Sequence, residues 1–291
     1  MGDKFSLQEN NICIPQVYSP QFSGGLTALM PIYWNCDNSL LHRALDSIFQ
    51  NTVQPDEVLV VIDGPIQNET RKILTIFEKK YSQFTILQLN KNQGLATALN
   101  EGIACVKTKW VARCDQDDIN YLNRFEVQLD HLNKNQNVKL IGSYITEVDV
   151  QGKVLGQRKV PISLEAIKKQ LPFRNPFNHM SVIFDNNFIR RIDGYPNIAY
   201  QDYGLWIKAI GNDAEALNIP EPLVYATTGD EMFRRRGGLR IAIDEFRLHK
   251  LMAQYHFRSW IGAMFWAAVR ATASLMPSNF KKYLYRNHLR K

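Results

Sequence analysis

Cysteine is scarce in this chain. Its 291 residues hold four, Cys13, Cys36, Cys105 and Cys114, and none pair in C-x-x-C spacing. That argues against a disulfide framework and a cysteine zinc site, and makes a reducing compartment the expectation. Long apolar runs are missing too, so no bilayer-spanning segment is expected. Met1 to Asn10 is polar, without the apolar stretch of a signal peptide. The glycines form no G-x-G-x-x-G after the first predicted strand and no P-loop, so neither device holds a nucleotide here. Acid is nearly absent from the end of the chain. From Arg234 onward thirteen Arg and Lys face only Asp244 and Glu245, a balance of +11, whereas the whole chain is +7 and the part before Arg234 is therefore −4. A basic tail on a mildly acidic body points to phosphate, nucleic acid or anionic lipid. No nucleic-acid-binding motif accompanies the charge, so nucleic acid is not the expected partner.

At 45% hydrophobic and 22% charged the chain is long and apolar enough to bury a large core. Strand and helix patterns alternate. Leu26 to Tyr33 is a buried strand, and Ser39 is placed to cap a helix from Leu40 to Asn51 with Leu41, Ala44, Leu45 and Ile48 inward. Glu57 to Ile62 has the continuous apolar character of a central parallel strand. A helix over Asn68 to Tyr81, a strand over Phe84 to Leu89 and a helix over Leu95 to Lys107 follow, the last with Leu95, Ala98, Leu99 and Ala104 inward. Lys109 to Cys114 is a fourth strand. This order predicts an α/β, doubly wound, mainly parallel sheet.

In such sheets ligands bind beyond the carboxyl ends of the strands. The residues found there are Asn35 and Asp37, Asp63, Asn92 and Gly94, and Asp115, Asp117 and Asp118. Three carboxylates in Asp115-Gln-Asp-Asp118 repel one another and call for a compensating cation. Hard oxygen ligands suit Mg²⁺ or Mn²⁺ held by one or two carboxylates plus substrate phosphates. The competing reading is a solvated turn before a helix starting near Tyr121.

The ordered segments Leu26-Thr-Ala-Leu-Met-Pro-Ile-Tyr33, Val60-Val-Ile-Asp63-Gly, Asn92-Gln-Gly94-Leu-Ala-Thr-Ala-Leu-Asn100-Glu-Gly102, Asp115-Gln-Asp117-Asp118 and Tyr200-Gln-Asp202-Tyr-Gly-Leu-Trp206 resemble the family-two glycosyltransferases, which have the glycosyltransferase A (GT-A) fold. The likeness covers about residues 26 to 240. Arg174-Asn-Pro-Phe-Asn-His179 and Met232-Phe-Arg-Arg-Arg-Gly-Gly238 further resemble a bacterial subgroup building exopolysaccharide, capsule or O-antigen units, as in amylovoran biosynthesis.

The resemblance implies roles. Asp63 would accept a hydrogen bond from the nucleobase, with an Asp-Gly turn as the alternative. Asp115 would hold ribose hydroxyls, and Asp117 the metal that bridges the donor diphosphate. Asp118 would orient a neighbour or cap the next helix. Asn92 and Gly94 would shape the loop beside the nucleotide. Many relatives carry Arg where this chain has Leu99, so a charge must come from elsewhere. Asp202 would be the catalytic base of an inverting transfer, with capping its helix as the alternative. Gln201 replaces an acid usual in the family. His179 would face the acceptor or serve structure, and Tyr195 would stack on a sugar or pack in the core. Arg234, Arg235 and Arg236, before Gly237-Gly238, would close over a diphosphate or remain a solvated basic turn.

The chain thus divides into a lead-in over 1–25, a transferase domain over 26–240 with a nucleotide-binding half to 120 and an acceptor half beyond it, and a basic amphipathic helical tail over 241–291. The tail fits either an interfacial segment on the membrane surface or a helix pair packed on the body. The expected function is metal-dependent, non-processive transfer of a hexose or N-acetylhexosamine. The donor is a nucleotide diphosphate sugar, a UDP-sugar first. The acceptor is a lipid-diphosphate-linked saccharide at the cytoplasmic face of the bacterial plasma membrane. Two other classes compete with this expectation. An Asp-nucleophile phosphatase would place its acids after the first strand, not the fourth. A catalytically silent sugar-nucleotide or lipid binder finds support only in Gln201.

Overall fold

The computed structural model describes residues 23–228 and 238–275. One nine-stranded sheet runs through it, in the order β3-β2-β1-β4-β8-β6-β9-β5, with β7 paired to β6. The first half is wound as the alternation requires. Strands β1 (Leu26–Ile32), β2 (Glu57–Asp63), β3 (Phe84–Leu89) and β4 (Trp110–Arg113) pair in parallel. Helices α1 (Asn38–Phe49), α2 (Asn68–Lys80) and α3 (Leu95–Cys105) connect them.

The period-two rule separates the two faces of β2. Val58, Val60 and Ile62 join the core under α1 and α2, while Leu59 and Val61 join the core under α3. β1 is buried along its whole length, as a strand covered on both faces must be. Gly102 lets α3 come this close: a Cβ there would sit 2.6 Å from a Leu29 methyl.

Beyond β4 the sheet is mixed, which qualifies the expectation of a mainly parallel one. β5 (Ile119–Asn120), α4 (Arg124–Lys134), β6 (Val138–Val148), β7 (Val154–Arg158), α5 (Leu164–Gln170), β8 (Ile183–Asp185), α6 (Asn186–Arg191), α7 (Gln201–Gly211) and β9 (Glu215–Thr227) follow. β8 runs antiparallel to both β4 and β6, β7 antiparallel to β6, and β5 antiparallel to β9, whereas β6 and β9 are parallel.

Three local expectations are corrected. Asp37, not Ser39, caps α1, its carboxylate accepting from the Ser39 and Leu40 amides. On α3 Leu95 and Ala104 face outward, and Ala96 and Ile103 take the inward places. The segment after the acids is first a short strand, and α4 starts only at Arg124.

The described part of the tail forms two helices, α8 (Leu239–Gln254) and α9 (Trp260–Leu275). Leu248 and Met252 of α8 belong to the same core as Trp206 of α7, so this helix packs on the body. No helix among the described residues is long and apolar enough to cross a membrane.

Candidate active site

A cleft of about 320 Å³ opens beyond the carboxyl ends of β1, β2 and β4. Tyr33, Asp63, Asn92, Gly94, Arg113, Asp115, Gln116 and Asp117 line it. Four segments far apart in sequence meet here because parallel strands all end on the same edge.

Asp63 ends β2 and is buried. Its two carboxylate oxygens accept from the backbone amides of Gln93 (2.7 Å) and Gly94 (2.8 Å). Asn92 in turn donates to the Asp63 carbonyl at 3.4 Å. Asp63 therefore ties the β3–α3 loop to β2, a duty that its place in an Asp-Gly turn did not reveal. Gly94 caps α3 with φ +91°, a backbone conformation that L side chains rarely adopt, and a Cβ there would meet nothing within 4 Å.

The three acids after β4 separate into two environments. Asp115 and Asp117 are half-buried and face the cleft. Asp118 is buried and turns away, accepting from the Thr227 amide of β9 at 2.8 Å. It orients a neighbour and does not cap the next helix. Burial first, then the charges of Asp115 and Asp117, push its carboxyl well above the usual carboxylate range.

The compensating cation lies two residues upstream. Arg113, the last residue of β4 and 1% exposed, pairs with Asp115 and donates to the Cys114 carbonyl. A second buried arginine, Arg124 of α4, donates to the Arg113 carbonyl at 2.9 Å and to Gln128 at 3.0 Å, and also bonds Asn120. Leu99 lies wholly in the core. Among the described residues, the guanidinium lining the cleft is that of Arg113. Arg113 Nε and Gln116 Oε1 are buried without a protein partner among the described residues.

Oxygen donors in this cleft suit a hard divalent cation. Asp115 and Asp117 offer one or two carboxylates, and no group of three or more His, Cys, Asp or Glu able to hold a metal occurs among the described residues. A site of that kind leaves most coordination positions to substrate oxygens and water, as Mg²⁺ sites do.

Asp202 does not line this cleft. It sits in the first turn of α7, half-buried, and accepts from Asn175 Nδ2 at 2.7 Å. Burial raises its pKa above the usual carboxylate value, against hydrogen bonds from the Tyr203 amide and Asn175. The cap position of α7 is Tyr200, with no side-chain capping bond, and Asp202 is the second residue of the helix, so the capping alternative does not hold. Gln201 precedes it, half-buried.

Tyr195 links the two regions, since its hydroxyl feels the charges of Arg113, Asp202 and Asp115. Tyr195 is buried in the core, so it packs and does not offer a face for stacking on a sugar. Its hydroxyl bonds His179 Nε2 at 2.9 Å. His179 lies in a single 3₁₀ turn, edge-on to Tyr195 and Trp206. Burial and the Arg113 cation hold its imidazole well below its ordinary pKa, hence neutral at pH 7. These contacts tie His179 to Tyr195 and Trp206.

The turn before α7 is fastened from both sides. Asn100 of α3 donates to the Tyr195 carbonyl (2.9 Å) and accepts from its amide (2.8 Å). Buried Lys208 donates to the Asp193 and Gly194 carbonyls at 3.1 and 2.9 Å. Sequence reasoning singled out none of Arg113, Asn100, Asn175 or Lys208 for a role. The one visible signal was a charged residue inside the apolar run Trp110-Val-Ala-Arg113. Arg234, Arg235 and Arg236 lie outside the described residues.

The profile of the family described as "Glycosyl transferase family 2" matches residues 27–195. A UDP-Gal:alpha-D-GlcNAc-diphosphoundecaprenol beta-1,3-galactosyltransferase of Escherichia coli is 36% identical, over 94% of this chain and 98% of that protein. The amylovoran biosynthesis glycosyltransferase AmsE of Erwinia amylovora is 30% identical, over 84% of this chain and 92% of its own length. Among solved structures, the mannosyltransferase PcManGT from Pyrobaculum calidifontis, in complex with GDP-Man and Mn²⁺, superposes with a TM-score of 0.60 at 15% identity, covering 93% of this chain and 83% of that one. TarS of S. aureus, in complex with UDP-GlcNAc, gives 0.59 at 16%, over 91% and 71%. Those two likenesses carry the GT-A fold.

Proposed function

The chain belongs to glycosyl transferase family 2, and we propose that it transfers one hexose or N-acetylhexosamine, with inversion, from a nucleotide diphosphate sugar to a lipid-diphosphate-linked saccharide. The observation that carries this reading is the convergence of Asp63, Asn92, Gly94, Asp115 and Asp117 on one cleft at the carboxyl edge of the sheet. A UDP-sugar is the first donor to test, and a UDP-Gal transferase 36% identical over nearly its full length supports it.

In this reading the nucleoside lies along β1, β2 and the β3–α3 loop. Asp63 holds that loop and presents its remaining lone pairs to the base. Asp115, held by Arg113, accepts from ribose hydroxyls. Asp117 would hold a divalent cation, Mg²⁺ or Mn²⁺, together with the diphosphate. When bound, that cation supplies charge stabilisation for the leaving diphosphate. Asp202 takes the proton from the acceptor hydroxyl as that oxygen attacks the anomeric carbon. Burial suits Asp202 to the task, because a raised pKa makes a carboxylate a stronger base. His179 holds the Tyr195 hydroxyl between the two regions. Arg234, Arg235 and Arg236 would add phosphate contacts. The lipid-linked acceptor places the reaction at the inner face of the bacterial plasma membrane. The intact carboxylates weigh against the silent-binder reading.

The deciding experiment is a donor screen that reads UDP or GDP release with Mn²⁺ or Mg²⁺ against EDTA, in the presence of a lipid-linked acceptor. Metal-dependent release by the parent is expected, together with loss in Asp117→Ala and Asp202→Asn while Asp202→Asn still binds donor. A parent that binds no sugar nucleotide with metal present overturns the reading.

A further inference from the structure

The last described helix, α9, buries the wrong side for a helix that merely packs. Its buried residues are small: Ala263, Ala267, Ala271 and Ser274, recurring at helical spacing against α8. Its large apolar residues point the other way. Ile261 is 86% exposed and Phe265 62%, with Val269 one turn further along and Trp260 and Met264 beside them. An isolated exposed apolar residue is ordinary, but a contiguous ridge of this kind marks an interaction surface. Phe246 of α8 extends it, forming with Trp260, Ala263 and Met264 a cleft of about 240 Å³ rimmed by Arg247 and Lys250.

The charge around this ridge is of one sign. The hairpin's two acids are buried and neutralised within it: Asp244 pairs with Arg247 and takes the Ala199 amide, and Glu245 pairs with Arg270 and takes the Tyr200 hydroxyl. No carboxylate side chain of α8 or α9 is therefore left exposed. The sequence after Leu275 adds Lys281, Lys282, Arg286, Arg290 and Lys291 and no acid. A ridge of tryptophan, phenylalanine and isoleucine beside a net excess of lysine and arginine complements the interface of an anionic bilayer.

The hairpin is also fastened to both segments that hold Asp202. Asp244 bonds the Ala199 amide at 2.9 Å, just before α7. Arg258 bonds the Pro172 carbonyl, three residues before Asn175, and stacks on Phe173 and Trp266.

We propose that α9 is a membrane-docking face that inserts Ile261, Phe265 and Val269 among the headgroups of an anionic bilayer. Docking there holds the Asp202 side of the site at the surface where a lipid-linked acceptor resides, and this last step rests on the transferase reading above. Docking itself does not.

The test is co-sedimentation of the full chain with vesicles of phosphatidylglycerol and phosphatidylethanolamine, against vesicles of phosphatidylcholine alone. The parent binds the anionic vesicles, more weakly as salt rises. The Ile261→Asp/Phe265→Asp variant loses at least about tenfold in vesicle affinity, as expected when two large apolar contacts are removed. Both residues are exposed, so the variant melts with the parent. Should it melt lower, Ile261→Ser/Phe265→Ser carries the same comparison. Its turnover on a short-chain, water-soluble acceptor stays within about twofold of the parent, while turnover on a long-chain acceptor in vesicles falls. A parent that binds anionic vesicles but turns over no donor leaves docking standing and removes only the transferase reading. Equal vesicle binding by parent and variant overturns the proposal. So does a parent that dimerises and a variant that stays monomeric, since the face then belongs to a second copy.

Discussion

Asp115 and Asp117 reach their cleft as the direct continuation of β4, whereas Asp202 reaches its place through side chains from several other segments. The first pair needs only a parallel strand that ends where its neighbours end. Asp202 depends on Asn175, on Lys208 and Asn100 fastening the turn before α7, and on Asp244 and Glu245 reaching over from α8. A site of the first kind is written locally. One of the second kind is assembled, and is accordingly open to damage at a distance.

The sharpest break is chemical. Asp117→Ala and Asp202→Asn should each lower transfer by on the order of a thousandfold, measured as kcat on donor plus acceptor. They should differ in binding: only Asp117→Ala loses metal-dependent donor affinity by calorimetry. They should also differ in stability. The Asp202 pKa is raised on folding, so its ionised form opposes folding above the ordinary carboxylate pKa. Asp202→Asn should hold or raise Tm at pH 7, and a clear fall would show that the carboxylate serves the fold.

Arg113→Met tests the local side of the comparison. It leaves Asp115 and Asp118 without their buried counter-charge. Breaking a buried pair costs about 3–5 kcal/mol, toward the low end here because Asp115 is partly solvated. Urea unfolding reads that loss, and weaker donor binding should accompany it.

Acid tests the assembled side. His249 of α8 is buried with neither ring nitrogen hydrogen-bonded among the described residues and with Glu245 3.9 Å from Nε2, and burial first, then Arg258 and Arg270, lowers its pKa to about 4. The unfolded chain takes up that proton near pH 6.5 and the folded one resists it. Stability is therefore whole above pH 6.5 and declines as pH falls toward about 4, by up to roughly 3 kcal/mol. His249→Leu should flatten that part of the acid limb in a series of melts.

Asn175→Ala gives the smallest effect. It removes the side-chain donor to Asp202, and should lower kcat roughly tenfold with the donor KM unchanged. The acid limb of kcat should move to higher pH, because the lost hydrogen bond had favoured the ionised carboxylate. An unchanged pH profile would make Asn175 a structural residue only.

Much of the fold was legible in the chain. β2 follows from a near-continuous apolar run, and β3 begins and ends where the sequence places it. Leu41, Ala44, Leu45 and Ile48 of α1 point inward as their spacing requires. The mixed half was less legible, because strands such as Ile183–Asp185 and Ile119–Asn120 are too short to carry a period. The carboxylates of the cleft were legible as the residues that follow strands. Their partners were not: Arg113, Asn100 and Lys208 act on atoms that only the finished fold brings within reach.

The sequence by itself determined the alternation of strands and helices, the edge on which Asp63, Asp115 and Asp117 collect, and the excess of positive charge in the tail, because periodicity and composition are local properties. The tertiary structure alone decided that Asp118 serves β9, that Asp63 ties down a loop, that His179 answers to Tyr195, and that α9 turns alanines inward and phenylalanine outward. Those outcomes rest on hydrogen-bond partners and packing surfaces from distant segments, and pattern along one chain does not encode which distant atoms will meet.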